Sequence, residues 1–239
     1  MSEEQCIRRL RFCNRVVTEP CHLLQPDLEA DIRTRTSLSV AVKVTVAFSF
    51  YASGSFQATA GDICSVSQFA AHCCICKVSD AIYDRRMDYI KSPMTREKQE
   101  EWSCGFTRIA GFLMVQGAIN FTHVALHASH ENAEVFHNHK GYRSLNVQLV
   151  CDPTQRMLTV NACHLGSTRD AFILWESTVP QLFRPPHEGH GWPLSDKGYD
   201  LTTWLMTPFR NPKSRAEHRY SESHVATRNV IELTIGVLK

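Results

Sequence analysis

The pattern of apolar and polar positions changes character near residue 110. Before that point the apolar stretches have helical length. The β-branched run from Ser37 to Tyr51 spans about four turns and stops at Ser53-Gly54, which favours a buried helix. Phe56 to Ile63, a break at Ser65-Val66-Ser67 and a longer stretch from Gln68 to Ile90 give the outline of a helix-turn-helix. Two core helices joined by a turn fit the same pattern, so both interpretations stay open.

The longer helix of this pair has a predicted apolar face. Its positions recur at roughly helical spacing and are Phe69, Cys73, Cys76, Ile82 and Tyr83. The crowded thiols of Cys73, Cys74 and Cys76 are interpreted as part of a helix core. The charged stretch from Arg96 to Glu101 predicts an exposed helix face.

From residue 111 onward, short runs rich in valine, leucine and isoleucine predict strands. They are Phe112 to Ile119, Leu145 to Cys151 and Met157 to Cys163, and Asp152-Pro153 is a hairpin turn signal. A helix from Asp170 to Ser177, a short strand at Trp192 to Leu194 and a closing helix from Glu217 to Leu238 follow. The sequence therefore predicts an all-helical region over residues 1–110 and an α/β domain over residues 111–239.

Composition and charge exclude some classes of protein but do not predict a single function. The hydrophobic share of 43% excludes wholesale disorder. The net charge of +2 permits nucleic-acid binding but does not predict it. The ten cysteines follow no signal peptide, so we expect reduced thiols in the cytosol or nucleus. The longest apolar stretch is interrupted by Lys43 and Thr45 and is too short to span a bilayer, so no membrane partner is expected.

Acidic residues at the ends of predicted elements are the first candidates for chemistry. Phosphodiester hydrolysis commonly uses two divalent cations about 4 Å apart, and carboxylates hold them. Asp196 follows the short apolar strand, Asp170 begins a predicted helix and Glu232 lies on the closing helix. Each acid taken alone fits a helix cap or a surface group equally well.

The closing helix has a predicted polar face. His224, Arg228 and Glu232 are four residues apart and share one side. We expect that side to oppose an apolar face made of Val225, Ile231, Ile235 and Leu238.

Two further clusters of residues offer alternative chemistry. Five histidines invite a zinc interpretation, but no cysteine or acid lies among them at a finger-like interval; they are His123, His127, His130, His137 and His139. Four basic residues before and within the closing helix could follow a DNA backbone, although a solvated loop fits as well; they are Arg210, Lys213, Arg215 and Arg219. The absence of a glycine-rich phosphate loop argues against a small-molecule cofactor.

Several ordered motifs resemble one known family. Gly117 to Val124 is similar to a Gly-x-Ile-Asp-x-x-His-Val strand, and His139 to Gln148 resembles an Arg-Lys-Gly-Tyr-x-Ser-Leu-Asn stretch. Gly166 to Asp170 resembles a Gly-Ser-x-x-Asp element, and Leu194 to Tyr199 resembles Leu-Gly-Asp-x-Gly-Tyr. Tyr220 to Glu232 looks like the final helix, with 35 residues between Asp196 and Glu232. These motifs, covering most of residues 105–239, resemble the PIF/Harbinger transposase-derived nucleases of the DDE superfamily.

That resemblance implies a fold and a set of roles. The fold would be an RNase H-like core, with Asn120 ending the first strand in the position of the first catalytic aspartate. Asp196 and Glu232 would be the catalytic metal ligands, and Asp170 would assist in binding Mg²⁺ or Mn²⁺. The family also implies a DNA substrate, a Myb-like DNA-binding protein as partner, and a location in nucleus and cytoplasm.

The departures from the family pattern bear on activity. Asn120 can lend a carbonyl oxygen to a cation but brings no charge, and Arg169 places a positive charge beside Asp170. The sequence given ends seven residues after Glu232, whereas the family continues, which implies a degenerate, C-terminally truncated copy. Two functions follow: a metal-dependent DNA endonuclease impaired at Asn120, or a catalytically inactive domesticated transposase that binds DNA or protein.

Overall fold

The computed structural model describes residues 3–29, 38–91, 95–126, 133–183 and 191–238. These residues form two compact units, Met1–Asp88 and Tyr89–Lys239. The boundary lies before the predicted one at residue 110 because the helix Arg96–Ala110 belongs to the second unit. Trp102 and Phe106 of that helix are buried in the hydrophobic clusters around the sheet.

The first unit is helical, as the sequence predicts. Its elements are α1 (Glu3–Leu10), α2 (Asn14–Glu29), α3 (Val40–Ser53), α4 (Gln57–Ile63), α5 (Gln68–Asp84) and, at the boundary, α6 (Arg86–Tyr89). The Ser39 hydroxyl caps α3 and the Ser67 hydroxyl caps α5, each by accepting a bond from a backbone N–H of the first turn. Gly54 ends α3 in the left-handed conformation. The β-branched run after Ser37 is therefore a helix, because its capping signals outweigh its strand propensity.

The inward face of α5 differs from the predicted one. Small residues and short aliphatic side chains are buried there, namely Ala71, Cys74, Ile75, Val78 and Ala81. Phe69 is 77% exposed and Tyr83 is 62% exposed, so the predicted apolar face was wrong. Small side chains let α3 and α5 approach closely, and the larger rings remain outside. Of the three crowded cysteines only Cys74 is buried.

Helices α4 and α5 lie where the sequence predicts two helices joined by a turn, and their assignment as a helix-turn-helix stays a prediction. The two helices share the core of the first unit with α3, as in the simpler interpretation of two packed core helices. DNA binding by this pair stays a prediction.

The second unit is a mixed α/β domain. Its elements are α7 (Arg96–Ala110), β1 (Val115–Ala125), a 3₁₀ turn (Ala133–Phe136), β2 (Ser144–Cys151), β3 (Met157–Leu165), α8 (Asp170–Glu176), α9 (Val179–Phe183), β4 (Trp192–Leu194) and α10 (Arg215–Leu238). The strand order is β3-β2-β1-β4, with the first three strands antiparallel and β4 parallel to β1.

Both faces of this sheet are covered. Alternate residues of β1 point to opposite sides, so Ala118 packs with Ile231 of α10 while Ile119 packs with Leu174 of α8. The sheet is thus the middle layer between helices. Strand β1 lies inside the sheet, and strand β4 forms one of its edges. Among the described residues, none of the helices has the length and apolarity that crossing a membrane requires.

The inward face of α10 also corrects a prediction. His224 and Arg228 are buried beside Ile231 and Ile235, whereas Val225 and Leu238 are exposed. The predicted opposition of polar and apolar sides was therefore wrong. This polar side is satisfied only in part: His224 Nε2 lies 3.0 Å from the Met206 carbonyl, whereas His224 Nδ1 and Arg228 Nη1 have no hydrogen-bond partner among the described residues.

Candidate active site

A cleft of about 660 Å³ lies beyond the C-terminal end of β4. The parallel pairing of β1 with β4 ends at Ala118 and Leu194, and Asp196 follows two residues later. The side chains that line the cleft include His123, His139, Asn146, Arg169, Asp170, Asp196 and Tyr199. Two of the sequence-predicted acids, Asp170 and Asp196, are thus brought to one cleft from different elements.

Asp196 is oriented by the turn that follows β4. Its Oδ1 accepts a hydrogen bond from the Gly198 backbone N–H at 2.8 Å. A Cβ at Gly198 would lie 2.9 Å from that same oxygen, so a side chain there would displace the carboxylate. The chain therefore holds Asp196 in one position by local backbone geometry.

Asp170 is oriented by a neighbouring strand. The Asn146 side-chain amide on β2 donates to Asp170 Oδ1 at 2.6 Å and to the Thr168 carbonyl at 2.9 Å. Asn146 is 1% exposed, and its Oδ1 is buried without a hydrogen-bond partner among the described residues. One amide thus fixes the start of α8 and leaves a buried oxygen beside the carboxylate.

The turn before α8 depends on a glycine. A Cβ at Gly166 would collide with the Ser144 hydroxyl and the Phe136 carbonyl. The same Ser144 hydroxyl lies 3.0 Å from His123 Nδ1 and accepts a bond of 2.9 Å from the Asn138 amide. This close packing joins the loop before α8 to the histidines of the cleft.

Imidazole rings and one guanidinium line the cleft together with the acids. The His123 ring meets the His139 ring edge to face, with centroids 5.4 Å apart, and Arg169 also faces the cleft. His127 and His130 lie outside the described residues. Within the described part of the chain, no group of three histidine, cysteine, aspartate or glutamate side chains has metal-binding geometry.

Tyr199 is buried against the cleft. Its ring stacks on Phe121 with centroids 5.8 Å apart, and no described residue hydrogen-bonds to its hydroxyl. Burial raises the pKa of Tyr199, the Asp170 and Asp196 carboxylates raise it further, and the Arg228 charge lowers it. The phenol therefore stays protonated at neutral pH and is a hydrogen-bond donor beside the two acids.

Asn120 lies in the middle of β1, not at its end as predicted. The strand continues because its pairing with β2 extends to Ala125. Asn120 Oδ1 accepts a bond of 2.9 Å from the Phe121 backbone N–H. Asn120 is not among the residues that line the cleft.

Glu232 lies on α10, and its half-exposed side chain forms an ion pair with Arg228 one turn earlier. Arg228 is buried, and its Nη1 has no hydrogen-bond partner among the described residues. Glu232 is also absent from the lining of the cleft. Of the four residues predicted to meet there, the structure unites Asp170 and Asp196 in one cleft.

The four predicted DNA-contacting residues are exposed; they are Arg210, Lys213, Arg215 and Arg219. Arg210 donates to the Lys197 carbonyl and lies 3.5 Å from Asp200. The backbone N–H groups of Lys213 and Ser214 donate to the Glu217 carboxylate and hold its pKa below the usual range. The N-terminus of α10 is therefore capped, and these basic side chains are accessible.

Asn146 and Tyr199 are the cleft residues whose contacts the sequence did not reveal. A signal for Asn146 exists in β2, where Ser144, Asn146 and Gln148 alternate along a strand and are all buried. Buried polar side chains repeated on one face of a strand indicate buried contacts. Ser144 and Asn146 make such contacts, whereas the Gln148 amide has no hydrogen-bond partner among the described residues. The Tyr199 hydroxyl has no such local signal.

The C-terminal half of the chain matches a known family. Residues 119–239, which include β1 from Ile119, the cleft and α10, match the DDE superfamily endonuclease family. The chain belongs to this family of endonucleases, as the motifs around Asp196 and Glu232 indicate.

Curated relatives place it among the Harbinger transposase-derived nucleases. It is 31% identical over 238 residues to Putative nuclease HARBI1 of Homo sapiens, covering 100% of this chain and 68% of that protein. The Xenopus laevis protein of the same name is 32% identical over 212 residues, or 89% of this chain and 61% of the relative. Protein ALP1-like of Arabidopsis thaliana is 25% identical over 218 residues, or 84% and 53%. No solved structure matches the chain.

Proposed function

We propose that this protein is a metal-dependent DNA endonuclease of transposase origin whose activity is lowered by Asn120. The second unit is then an RNase H-like core. The observation that carries the proposal is the meeting of Asp170 and Asp196 in one cleft, each held by a separate hydrogen bond. Family membership adds the reaction class, phosphodiester hydrolysis.

The donor set fits a hard divalent cation such as Mg²⁺ or Mn²⁺. Two carboxylates face the same cleft, and the unpartnered Oδ1 of Asn146 is a further oxygen beside them. Oxygen donors of this kind are the ligands that these ions prefer. Asp170, Asp196 and Asn146 would hold one ion, and a bound ion of this kind polarises a phosphate and raises the nucleophilicity of water.

The other cleft residues would act on the DNA strand. Tyr199 would donate a hydrogen bond to a phosphate oxygen, because its hydroxyl is protonated and has no described partner. Arg169 and His139 would hold the same strand by charge and hydrogen bonding, since both line the cleft. These donors would orient the scissile phosphate against the acids.

Binding of a second divalent cation would be weak at this site. Two adjacent divalent cations need several negative charges close by, and Asn120 supplies none. Its Oδ1 is bonded to the Phe121 N–H, and Glu232 is bonded to Arg228. We infer that cleavage requires the Glu232 ion pair to open and that it is slow even then.

DNA would reach the cleft along the exposed basic residues at the start of α10, with Arg210 the nearest of them to Lys197 and Asp200. A Myb-like DNA-binding protein would supply target recognition, and the pair would work in nucleus and cytoplasm. Both statements are carried over from the family resemblance.

The second candidate function is a catalytically inactive module that binds DNA or protein. It is favoured by the same observations on Asn120 and Glu232, together with the lack of a three-ligand metal group in the described residues. In that case the cleft and the basic residues would still contact a strand.

A nicking assay separates the two candidates. Supercoiled DNA is incubated with Mn²⁺ and either the native chain or Asn120→Asp, and Asn120→Asp with Asp196→Asn is the matched control. We expect Asn120→Asp to nick at least about tenfold faster than the native chain, because a tenfold change needs only about 1.4 kcal/mol of barrier. The control should not nick. If Asn120→Asp does not nick the DNA, or if its control nicks equally fast, the result would favour the inactive module.

A further inference from the structure

A second cavity, which we call the aromatic pocket, has a different chemistry from the acidic cleft. It encloses about 670 Å³, within the usual range for small-ligand sites, and its side chains include Leu201, Met206, Pro208, Phe209, Arg210 and Tyr220. Almost all of its wall is apolar, and its charged residues are Arg210 and the two acids Asp200 and Glu217, of which Asp200 lies 3.5 Å from Arg210. Tyr199 and Arg210 of its lining already have proposed contacts with DNA, but the proposed cleavage reaction gives no role to Phe209 or to the cavity itself.

The walls of the aromatic pocket are held in place by their own hydrogen bonds. The Tyr220 hydroxyl donates to the Thr207 carbonyl at 3.1 Å, and the Phe209 backbone N–H donates to the Ser221 hydroxyl at 3.2 Å. The two rings meet edge to face with centroids 5.2 Å apart. Phe209 nevertheless remains 45% exposed, so one aromatic ring is fixed and accessible.

The charge around the pocket suits a polyanion. Residues 197–219 contain five lysine and arginine residues and two acidic residues, a net charge of +3 against +2 for the entire chain. One of the two acids, Glu217, is bonded to the backbone N–H groups of Lys213 and Ser214. A fixed aromatic ring in a basic surface is the combination that binds single-stranded nucleic acid.

The position of the pocket relative to the cleft supports the same ligand. Tyr199 lines both the aromatic pocket and the acidic cleft. A strand with one phosphate in the cleft would therefore carry a neighbouring base past the pocket. An apolar protein side chain could also fill the cavity, but it would make no use of the exposed basic residues Lys213, Arg215 and Arg219.

We propose that the aromatic pocket binds an unpaired nucleobase of the DNA, which stacks on Phe209 while Arg210 contacts the adjoining phosphate. The identity of the ligand as DNA rests on the proposed function. Because the walls offer few polar groups, the pocket takes any base and reads no sequence. The enzyme would accordingly prefer DNA with a single-stranded segment at the site of cleavage.

The test measures binding by the full chain in EDTA, where no cleavage occurs. The probes are a thymidine oligonucleotide containing one 2-aminopurine and the same strand paired with its complement. We expect tighter binding of the single strand and quenching of 2-aminopurine by stacking. Phe209→Leu should weaken single-strand binding roughly tenfold and abolish the quenching, the effect of losing one base stack. Phe209→Trp should retain both.

Phe172→Leu is the matched control, since Phe172 is an exposed ring on α8 outside the pocket. It should bind as the native chain does, and thermal melting confirms that each variant is folded. Equal affinity for both probes, or single-strand binding and quenching unchanged in Phe209→Leu, would overturn the proposal. The latter is also the result expected if the pocket takes a protein side chain. Nicking with Mn²⁺ is scored separately, so failure of the nuclease proposal is distinguishable from failure of this one.

Discussion

Tyr199 combines two properties at the scale of a single residue. Its ring completes the packing beside the sheet by stacking on Phe121, and its hydroxyl is buried beside two carboxylates without a described partner. A buried donor that finds no acceptor costs stability, typically about 1–3 kcal/mol. A group that is costly in the free protein and useful to a bound phosphate is expected at a functional site.

Tyr199→Phe should therefore separate stability from activity. The change removes the hydroxyl and keeps the stacked ring, so we expect the melting temperature to be equal or higher. Nicking by the Asn120→Asp protein should fall about tenfold when Tyr199→Phe is added, because a donor to the phosphate is lost. Melting curves and nicking rates on the same samples check both parts. A lower melting temperature with unchanged nicking would mean that the hydroxyl is structural.

Helix α10 carries a buried histidine whose protonation affects the stability of the fold. His224 is fully buried, lies 3.0 Å from the Met206 carbonyl through Nε2, and packs edge to face against Phe112. Burial lowers the pKa of His224 to about 4, the Arg228 charge also lowers it, and the bond to Met206 opposes the shift. The ring is thus neutral in the folded state over most of the acidic range.

This shift predicts a pH dependence of stability. Between pH 6.5 and 4 the unfolded chain binds a proton at His224 that the folded chain does not, so the free energy of unfolding falls as the pH falls through that window. The full effect is on the order of 3 kcal/mol. Urea unfolding at several pH values should show a smaller loss for His224→Gln than for the native chain. His218→Gln, an exposed site on the same helix, should retain the native slope. Equal slopes in all three proteins would refute the assignment.

The positions of helices and strands along the chain were largely predictable from sequence. Which side of a helix is buried was not predictable in the same way. Strand β2 and helix α8 begin within a residue or two of their predicted starts, because apolar runs and turn signals are local. Which side of α10 or α5 is buried depends on partners that are distant in sequence. The His224 ring lies against the Met206 carbonyl, and the Ala71 side chain lies against Gly61 of α4.

The candidate site was predictable in part for the same reason. Motif spacing identified Asp170 and Asp196, and both line the cleft. The bond from Asn146 to Asp170 spans 24 residues and joins a strand to a helix, so no local pattern contains it. Asn120 was expected at a strand end, but its strand is extended by pairing with β2, a property of the partner strand.

The ten cysteines are distributed over both structural units, so the reactivity of their thiols can be measured in each unit. Cys6, Cys74 and Cys151 are buried, whereas Cys76, Cys104 and Cys163 are exposed. Burial raises the pKa of Cys151 to about 12, while the Thr234 hydroxyl opposes the shift.

Thiol labelling at pH 8 should therefore proceed in distinct phases. The exposed cysteines should react first, and Cys151 should react only when the second unit unfolds, because the thiolate is the nucleophile. Mass spectrometry of labelled peptides during a urea titration identifies each site. Early labelling of Cys151 in native conditions would contradict the packing of α10 on the sheet.

We propose that Asp170 and Asp196 together hold a divalent cation in one cleft. Titration of the full chain with Mn²⁺, followed by electron paramagnetic resonance of the free ion, measures this directly. We expect one saturable ion per chain, lost in Asp170→Asn and in Asp196→Asn and retained in Asp200→Asn, whose side chain is 95% exposed. Absence of saturable binding, or binding that survives Asp196→Asn, would contradict it.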